Sequence, residues 1–243
     1  MVGERLAFTA SAGFCIFIAA LIFWIQPDFN LKKPGITGAV TGIVLLLLAG
    51  RTITRNNDWK DTMTLMRHDI KHLENSAQAN NMYARTLMGE SMQNKNLNST
   101  QRLEMQQTAI AHFDKATELW PAFFNAYFDK GMAARIAQNQ DKAIESFRKV
   151  IEMNPQFTDA YTNLIEVYEI TGKKDEQLAT AQQLMEVSDS NISYALLSRS
   201  YFVRNEFDKS AETLKKGLEK YPNDELLLKN LEIVNQQKKN IQN

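Results

Sequence analysis

Cysteine is almost absent from this chain: Cys15 stands alone among 243 residues. One thiol forms no disulfide within the chain, and its uncharged, apolar neighbourhood makes it a small hydrophobe rather than a nucleophile. Excess charge is lacking too. The 28 Lys and Arg balance the 28 Asp and Glu, and the two signs interleave, which excludes the electrostatic footprint of a nucleic-acid binder. No Gly-rich phosphate loop, cysteine pair or nucleophile-elbow serine occurs. Histidine numbers only three. His68, Asp69 and His72 put two imidazoles one helical turn apart, as in zinc proteases, but the required glutamate is missing and His112 lies 40 residues on. These residues read as a solvated helix face. No catalytic residue, metal or cofactor is therefore assigned, and an enzyme is not expected.

Long apolar runs are missing after about residue 53, but two precede it. Leu6 to Ile25 carries no charge and, at about 1.5 Å rise per residue, is long enough to cross roughly 30 Å of hydrocarbon. Trp24 suits the interfacial belt. A polar turn from Gln26 to Gly35 follows, and then a shorter run, Ile36 to Gly50, in which Arg51 can snorkel and Thr52 with Ile53 supply further rise. The expectation is a transmembrane hairpin over 1–54, with helices about 6–25 and 36–53. A cleaved signal peptide is the competing reading. The first run is too long for it, Glu4 offsets Arg5, and no small-residue cleavage site follows Trp24.

The remaining chain repeats itself. Ala109, Phe113, Ala116 and Pro121 return 34 residues later as Ala143, Phe147, Val150 and Pro155, and once more as Ser210, Leu214, Gly217 and Pro222. Upstream of each set lies a helix with apolar residues three and four apart: Tyr127 and Gly131 before Ala143; Tyr161, Leu164 and Tyr168 before Ala181; Tyr194, Leu197 and Tyr201 before Ser210. This pattern resembles the tetratricopeptide (TPR) repeat, a helical hairpin in which small residues let two antiparallel helices approach and a proline closes the second. Lys130 occupies a usual leucine place, and the third unit ends at Ser188 and Asp189 without its proline. The fold expected is all-α: a two-helix hairpin followed by a TPR solenoid over 55–243, with a half repeat at about 55–75, units at 77–121, 122–155, 156–189 and 190–222, and a polar-backed capping helix at 224–238. The polar stretch around Asn94, Lys95, Asn96, Asn98, Ser99 and Thr100 reads as a surface loop inside the first full unit, whose second helix then begins near Leu103.

Gly3, Glu4, Arg5, Leu6, Ala7 and Phe8, with Ser11, Ala12, Gly13, Phe14 and Cys15, resemble a segment that precedes a late membrane helix in GT-C glycosyltransferases bearing C-terminal TPR arrays, the O-mannosyltransferase-like proteins and their bacterial relatives. Arg55, Asn56, Asp58, Trp59 and Leu65 are similar to that family's junction between the last membrane helix and the first repeat. The resemblance implies a lipid-linked sugar donor for a whole enzyme, and it implies that the acidic catalytic loop of such an enzyme is not in this chain. It also implies an inner-membrane location with the repeats on the periplasmic face. Flanking charge leans the other way: Arg5, Arg51, Arg55 and Lys60 outnumber Lys32 and Lys33, which favours cytoplasmic repeats.

In a TPR array the first helix of each hairpin lines the concave groove. The groove residues expected are Asn125, Phe128, Met132 and Arg135; Asp159, Thr162, Glu166 and Glu169; and Arg199 and Phe202, with Ile192 and Ala195 beside them. Phe128, Met132 and Phe202 fit an apolar peptide or helix, and Glu166 and Glu169 favour a cationic neighbour. The function expected is a membrane-anchored scaffold that binds a protein or peptide, with the C-terminal part of a polyprenyl-phosphate-sugar-dependent glycosyltransferase as the alternative.

Overall fold

The computed structural model describes residues 42–44, 46–48, 50 and 60–242. The chain divides into two compact units, residues 1–60 and 61–243. In the first unit the described residues are helical, apart from the turn at Lys60, and Ile43, Val44, Leu46, Leu47 and Leu48 are exposed. The hairpin expected over 6–25 and 36–53 otherwise lies outside the described residues. Among the described residues no helix is long and apolar enough to cross a membrane.

The second unit is helical throughout its described length, in the order α1 (Thr62–Asp69), α2 (Ala77–Gln93), α3 (Ser99–Leu119), α4 (Phe124–Ile136), α5 (Gln140–Met153), α6 (Thr158–Ile170), α7 (Lys174–Val187), α8 (Asn191–Val203), α9 (Phe207–Lys220) and α10 (Glu225–Gln242). Four hairpins, α2/α3 to α8/α9, each pair a first (A) helix with a second (B) helix; α1 packs before them and α10 occupies the next A place. Polar side chains set several starts. Asp61, Ser76, Asn98, Asn139 and Ser190 each accept a backbone N–H in the first turn of the helix they precede, satisfying donors the helix itself cannot.

Three hairpins turn in the same way. Gln138, Gly172 and Asn205 have positive φ of 59°, 70° and 63°. The next residue's N–H then reaches back to the A helix, from Asn139 to Ala134 O, Lys173 to Tyr168 O and Glu206 to Tyr201 O, at 2.8, 2.9 and 3.0 Å. A left-handed residue at this place satisfies the last carbonyls and reverses the chain, a task that needs glycine least strained but here falls to glutamine and asparagine in two of three turns.

Close helix approach explains the small residues. A Cβ placed on Gly131 would meet the Phe147 ring at 2.7 Å, and one on Gly217 would meet Tyr194 Cβ at 2.9 Å. Both partners are buried, so neither can give way. Lys130, in its leucine place, is buried with its ammonium 3.3 Å from Asp114 and 3.7 Å from Glu145, and lies over the Tyr127 ring. The stem fills the apolar site and the charge finds two carboxylates.

Four expectations are corrected in detail. Ala181 does not align with Ala143: the buried series Ala143, Ser146, Phe147, Val150 of α5 corresponds to Gln177, Thr180, Ala181, Leu184 of α7. The third unit has exchanged sizes, a glutamine at the small place and an alanine at the phenylalanine place, so volume is roughly kept while position moves by one turn. The stretch Asn94–Thr100 is loop only to Asn98, because Asn98 and Gln101 form a reciprocal capping box that starts α3 at Ser99 rather than near Leu103. Arg102 of α3 reinforces that start by donating to the carbonyl of Ser91 in α2. The capping helix runs Glu225–Gln242 rather than 224–238. Ala195, expected near the groove, is buried in the core beside Leu214 and Leu227.

The backbones of successive A helices come close at three of the four junctions, whereas among the described residues those of successive B helices do not, and α3 meets α5 through the side chains of Asp114 and Lys142. Rods that meet on one side and splay on the other curve toward the meeting side, so the A helices line the inner rim of the array.

A candidate groove on the A helices

The expected groove residues all fall on α4, α6 and α8, and all except Ala195 are half-buried or exposed. What the pattern did not reveal is that most of their charge is already used. Arg135 of α4 donates to Glu166 of α6 at 3.0 Å, and Arg199 of α8 donates through Nε and Nη2 to Glu169 Oε1 at 3.1 and 2.7 Å. The cationic neighbours expected for Glu166 and Glu169 are thus supplied by the adjoining repeats. Arg85 of α2 lies 3.8 Å from Asp129 of α4 and continues the series. One arginine–carboxylate pair therefore bridges each of three A-helix junctions, about one repeat apart in sequence.

Asp129 is the least comfortable member. Burial pushes its carboxyl above the ordinary 3.8, against the opposing pull of Arg85 and an Asn81 hydrogen bond. Its Oδ2 and the Oδ1 of buried Asn81 have no hydrogen-bond partner.

Apolar groove residues sort by place. Phe157, at the start of α6, meets Phe124 and Phe128 edge-on, with centroids 5.0 and 5.1 Å apart, so Phe128 fills the joint between α4 and α6 while keeping part of its surface outward. Met132 stays half-exposed on the same helix, beside Asn125, which is exposed. On α6, Asp159 is exposed and Thr162 half-buried, its hydroxyl donating to the Thr158 carbonyl. Phe202 meets Phe207 at 5.3 Å and faces α10, where it lines a cleft missed by sequence reasoning because α10 was read only as a polar-backed cap. Ile192 is exposed at the opposite end of α8.

The three histidines do not gather. The rings of His68 and His72 stand 5.5 Å apart at the end of α1, with His68 Nδ1 3.2 Å from Asp69. His112 belongs to α3, where Nδ1 bonds the Oδ1 of buried Asn80 at 2.7 Å and its ring packs edge-on against Tyr83. Burial, then Lys115, holds its pKa below the ordinary 6.5. Among the described residues no three His, Cys, Asp or Glu are placed to hold a metal ion.

Residues 124–157, which run from the start of α4 to the start of α6, match the family model described as tetratricopeptide repeat. No curated protein matches the chain. Among solved structures, one titled "Crystal structure of MamA" is 20% identical, covering 71% of this chain and 94% of its own, with a TM-score of 0.56. A MamA fragment from Desulfovibrio magneticus RS-1 is 17% identical over 74% and 96% of the two chains, with a TM-score of 0.54. YrrB, titled "a TPR protein with an unusual peptide-binding site", is 16% identical over 72% and 84%, with a TM-score of 0.52. At these identities the likeness is one of fold. The chain carries a tetratricopeptide repeat at 124–157, and its second unit has the fold of a TPR solenoid.

Proposed function

We propose that the array is a scaffold whose A-helix groove binds a peptide or protein segment. One observation carries this reading: the inner rim pairs most of its charges across repeat junctions yet keeps Phe128, Met132 and Phe202 partly open. Paired charges hold the rim rigid and half-open apolar side chains offer burial, the combination a peptide groove uses. The peptide-binding site named for YrrB supports it by analogy of fold. The test is site-specific photocrosslinking in native membranes. A crosslinker at Thr162 is expected to capture a partner that one at Lys215, on the outer face of α9, does not; equal capture from both, or none from Thr162, counts against the groove.

The tether is proposed as a membrane hairpin over 1–54, which the uncharged run Leu6–Ile25 and the exposed helical residues Ile43, Val44, Leu46, Leu47 and Leu48 support. The repeats are placed in the periplasm of a bacterial inner membrane, following the resemblance of the Glu4–Arg5 segment. Labelling of Ser99→Cys in intact cells by a membrane-impermeant thiol reagent is expected; labelling only after lysis reverses the orientation. The alternative, the C-terminal part of a GT-C glycosyltransferase, is favoured by the Arg55, Asn56, Asp58, Trp59 junction and predicts an upstream, in-frame coding sequence with further membrane helices and an acidic loop.

A further inference from the structure

The three bridges of the inner rim are not equally closed. Arg135 and Arg199 meet Glu166 and Glu169 at hydrogen-bond distance, 3.0 and 2.7 Å, but Arg85 approaches Asp129 Oδ2 only to 3.8 Å, too far for a hydrogen bond, and its side chain is 64% exposed. A counter-ion so open to water is a weak one. The other charges around this carboxyl are engaged elsewhere. On the same helix Lys130 turns to Asp114 of α3 and Glu145 of α5, and Arg135 turns to Glu166 of α6; Lys142 of α5 also goes to Asp114, and Asp159 of α6 is exposed. Asp129 Oδ2 is left without a hydrogen bond, as is Oδ1 of Asn81, a buried residue of α2 whose side chain lies against the same carboxyl.

Two buried oxygens on contacting side chains thus have no donor between them, and each costs free energy while it stays unpaired. One proton answers both. We infer that this junction is a proton switch: on acidification Asp129 takes up a proton on Oδ2 and donates it to Asn81 Oδ1, and the neutral acid releases Arg85. The proton comes from solvent, the carboxylate charge is lost, and the guanidinium stays protonated without its anion. With Asp129 ionised, the Asn81 amide turns its nitrogen to the carboxylate and its own oxygen is left over; with Asp129 neutral, the amide turns its oxygen to the acid. Burial works in the same direction, since it raises the carboxyl above the ordinary 3.8. The switch lies between α2 and α4, so it acts on the hold between the first two hairpins and stands apart from what the groove binds.

The experiment is an NMR titration of the full chain in detergent micelles, isotopically labelled at aspartate carboxyls and asparagine side-chain amides. Asp129 is identified by the signal lost in Asp129→Asn, or in Asp129→Glu should the first variant not fold, and the Asn81 amide by its loss in Asn81→Ser. The Asp129 midpoint is expected above the ordinary 3.8, with the Asn81 amide moving at the same pH, and Arg85→Gln is expected to raise that midpoint further, because the guanidinium favours the carboxylate. Denaturation supplies a second reading. The native carboxyl keeps a proton that the unfolded chain has already lost, so stability falls as pH rises through the native midpoint. Asp129→Asn, whose amide donates to Asn81 Oδ1 at every pH, should therefore show a higher denaturation midpoint than the parent at about pH 7.5, an advantage that shrinks as the pH falls toward about 4. The His112 titration is common to both chains and cancels in the comparison. An Asp129 midpoint at or below 3.8, an Asn81 amide indifferent to that titration, or an Asp129→Asn chain no more stable than the parent at about pH 7.5 would overturn the switch.

Discussion

His112 and Asn80 show how a single polar contact closes the first hairpin. Asn80 is fully buried, and its amide nitrogen donates to the carbonyls of Glu74 and Ser76 at 2.8 and 2.9 Å, so its oxygen depends on His112. Removing the imidazole orphans that oxygen, and His112→Ala is expected to cost about 1–3 kcal/mol in chemical denaturation. The pH dependence has a definite sign. The folded pKa lies below the ordinary 6.5, so below that value the unfolded chain takes up the proton first. This contribution to stability is present above about pH 6.5 and declines as pH falls through the folded pKa. His112→Gln, which keeps a donor without titrating, should lose less stability than the parent between about pH 7 and about pH 5. Gln138 offers the opposite case: with φ of 59° at a turn where the next repeat uses Gly172, Gln138→Gly is expected to raise stability by about 1 kcal/mol, read as a higher denaturation midpoint. The left-handed turns were not legible, because a glutamine carries no signal for positive φ, whereas Gly131 was legible, since only a missing Cβ fits against Phe147.

At the scale of the helix, α7 marks where periodicity misleads. Spacing of small residues selected Ala181, yet burial puts Gln177 at that place and Ala181 under the site that Phe147 fills one repeat earlier. A pattern of small and large letters assumes that each repeat solves the packing with the same residue sizes; here one pair traded places, and only the neighbouring helices reveal it. Ala181→Phe alone should overpack α7 against Tyr161, Ile165 and Leu196, its cluster partners on the neighbouring helices, by about 1–3 kcal/mol. The pair Gln177→Ala with Ala181→Phe should recover much of that loss, since it restores the arrangement of α5; a double variant no better than the single one would refute the exchange. α3 gives the companion lesson. Its start was misplaced because asparagine, serine and threonine are shared vocabulary of loops and caps. Asn98→Ala is expected to lower stability by about 1 kcal/mol and to fray Ser99 to Arg102 in hydrogen exchange.

Over the whole second unit, stability is passed from neighbour to neighbour, and α10 closes the series by covering Leu214 and Tyr194 with Leu227 and Val234. A chain ending at Pro222 is expected to expose that surface and lose protection in α8 and α9 well before α4 and α5, which hydrogen exchange resolves. The stacking order and helix types were readable from the 34-residue spacing. The groove was readable as positions but not as chemistry, because whether Glu166 faces a ligand or Arg135 depends on how two helices meet.

The bridges along the inner rim also run in a set direction. α4 presents arginine to a carboxylate on α6, but α6 then presents a carboxylate to arginine on α8. The polarity reverses at α6, so the hairpins are not interchangeable beads. Splicing out residues 156–189 would keep the spacing and the apolar stripes, yet bring Arg135 to face Arg199 with no anion between them. Evolution by loss or duplication of a single hairpin meets a barrier at that junction which the hydrophobic pattern does not contain.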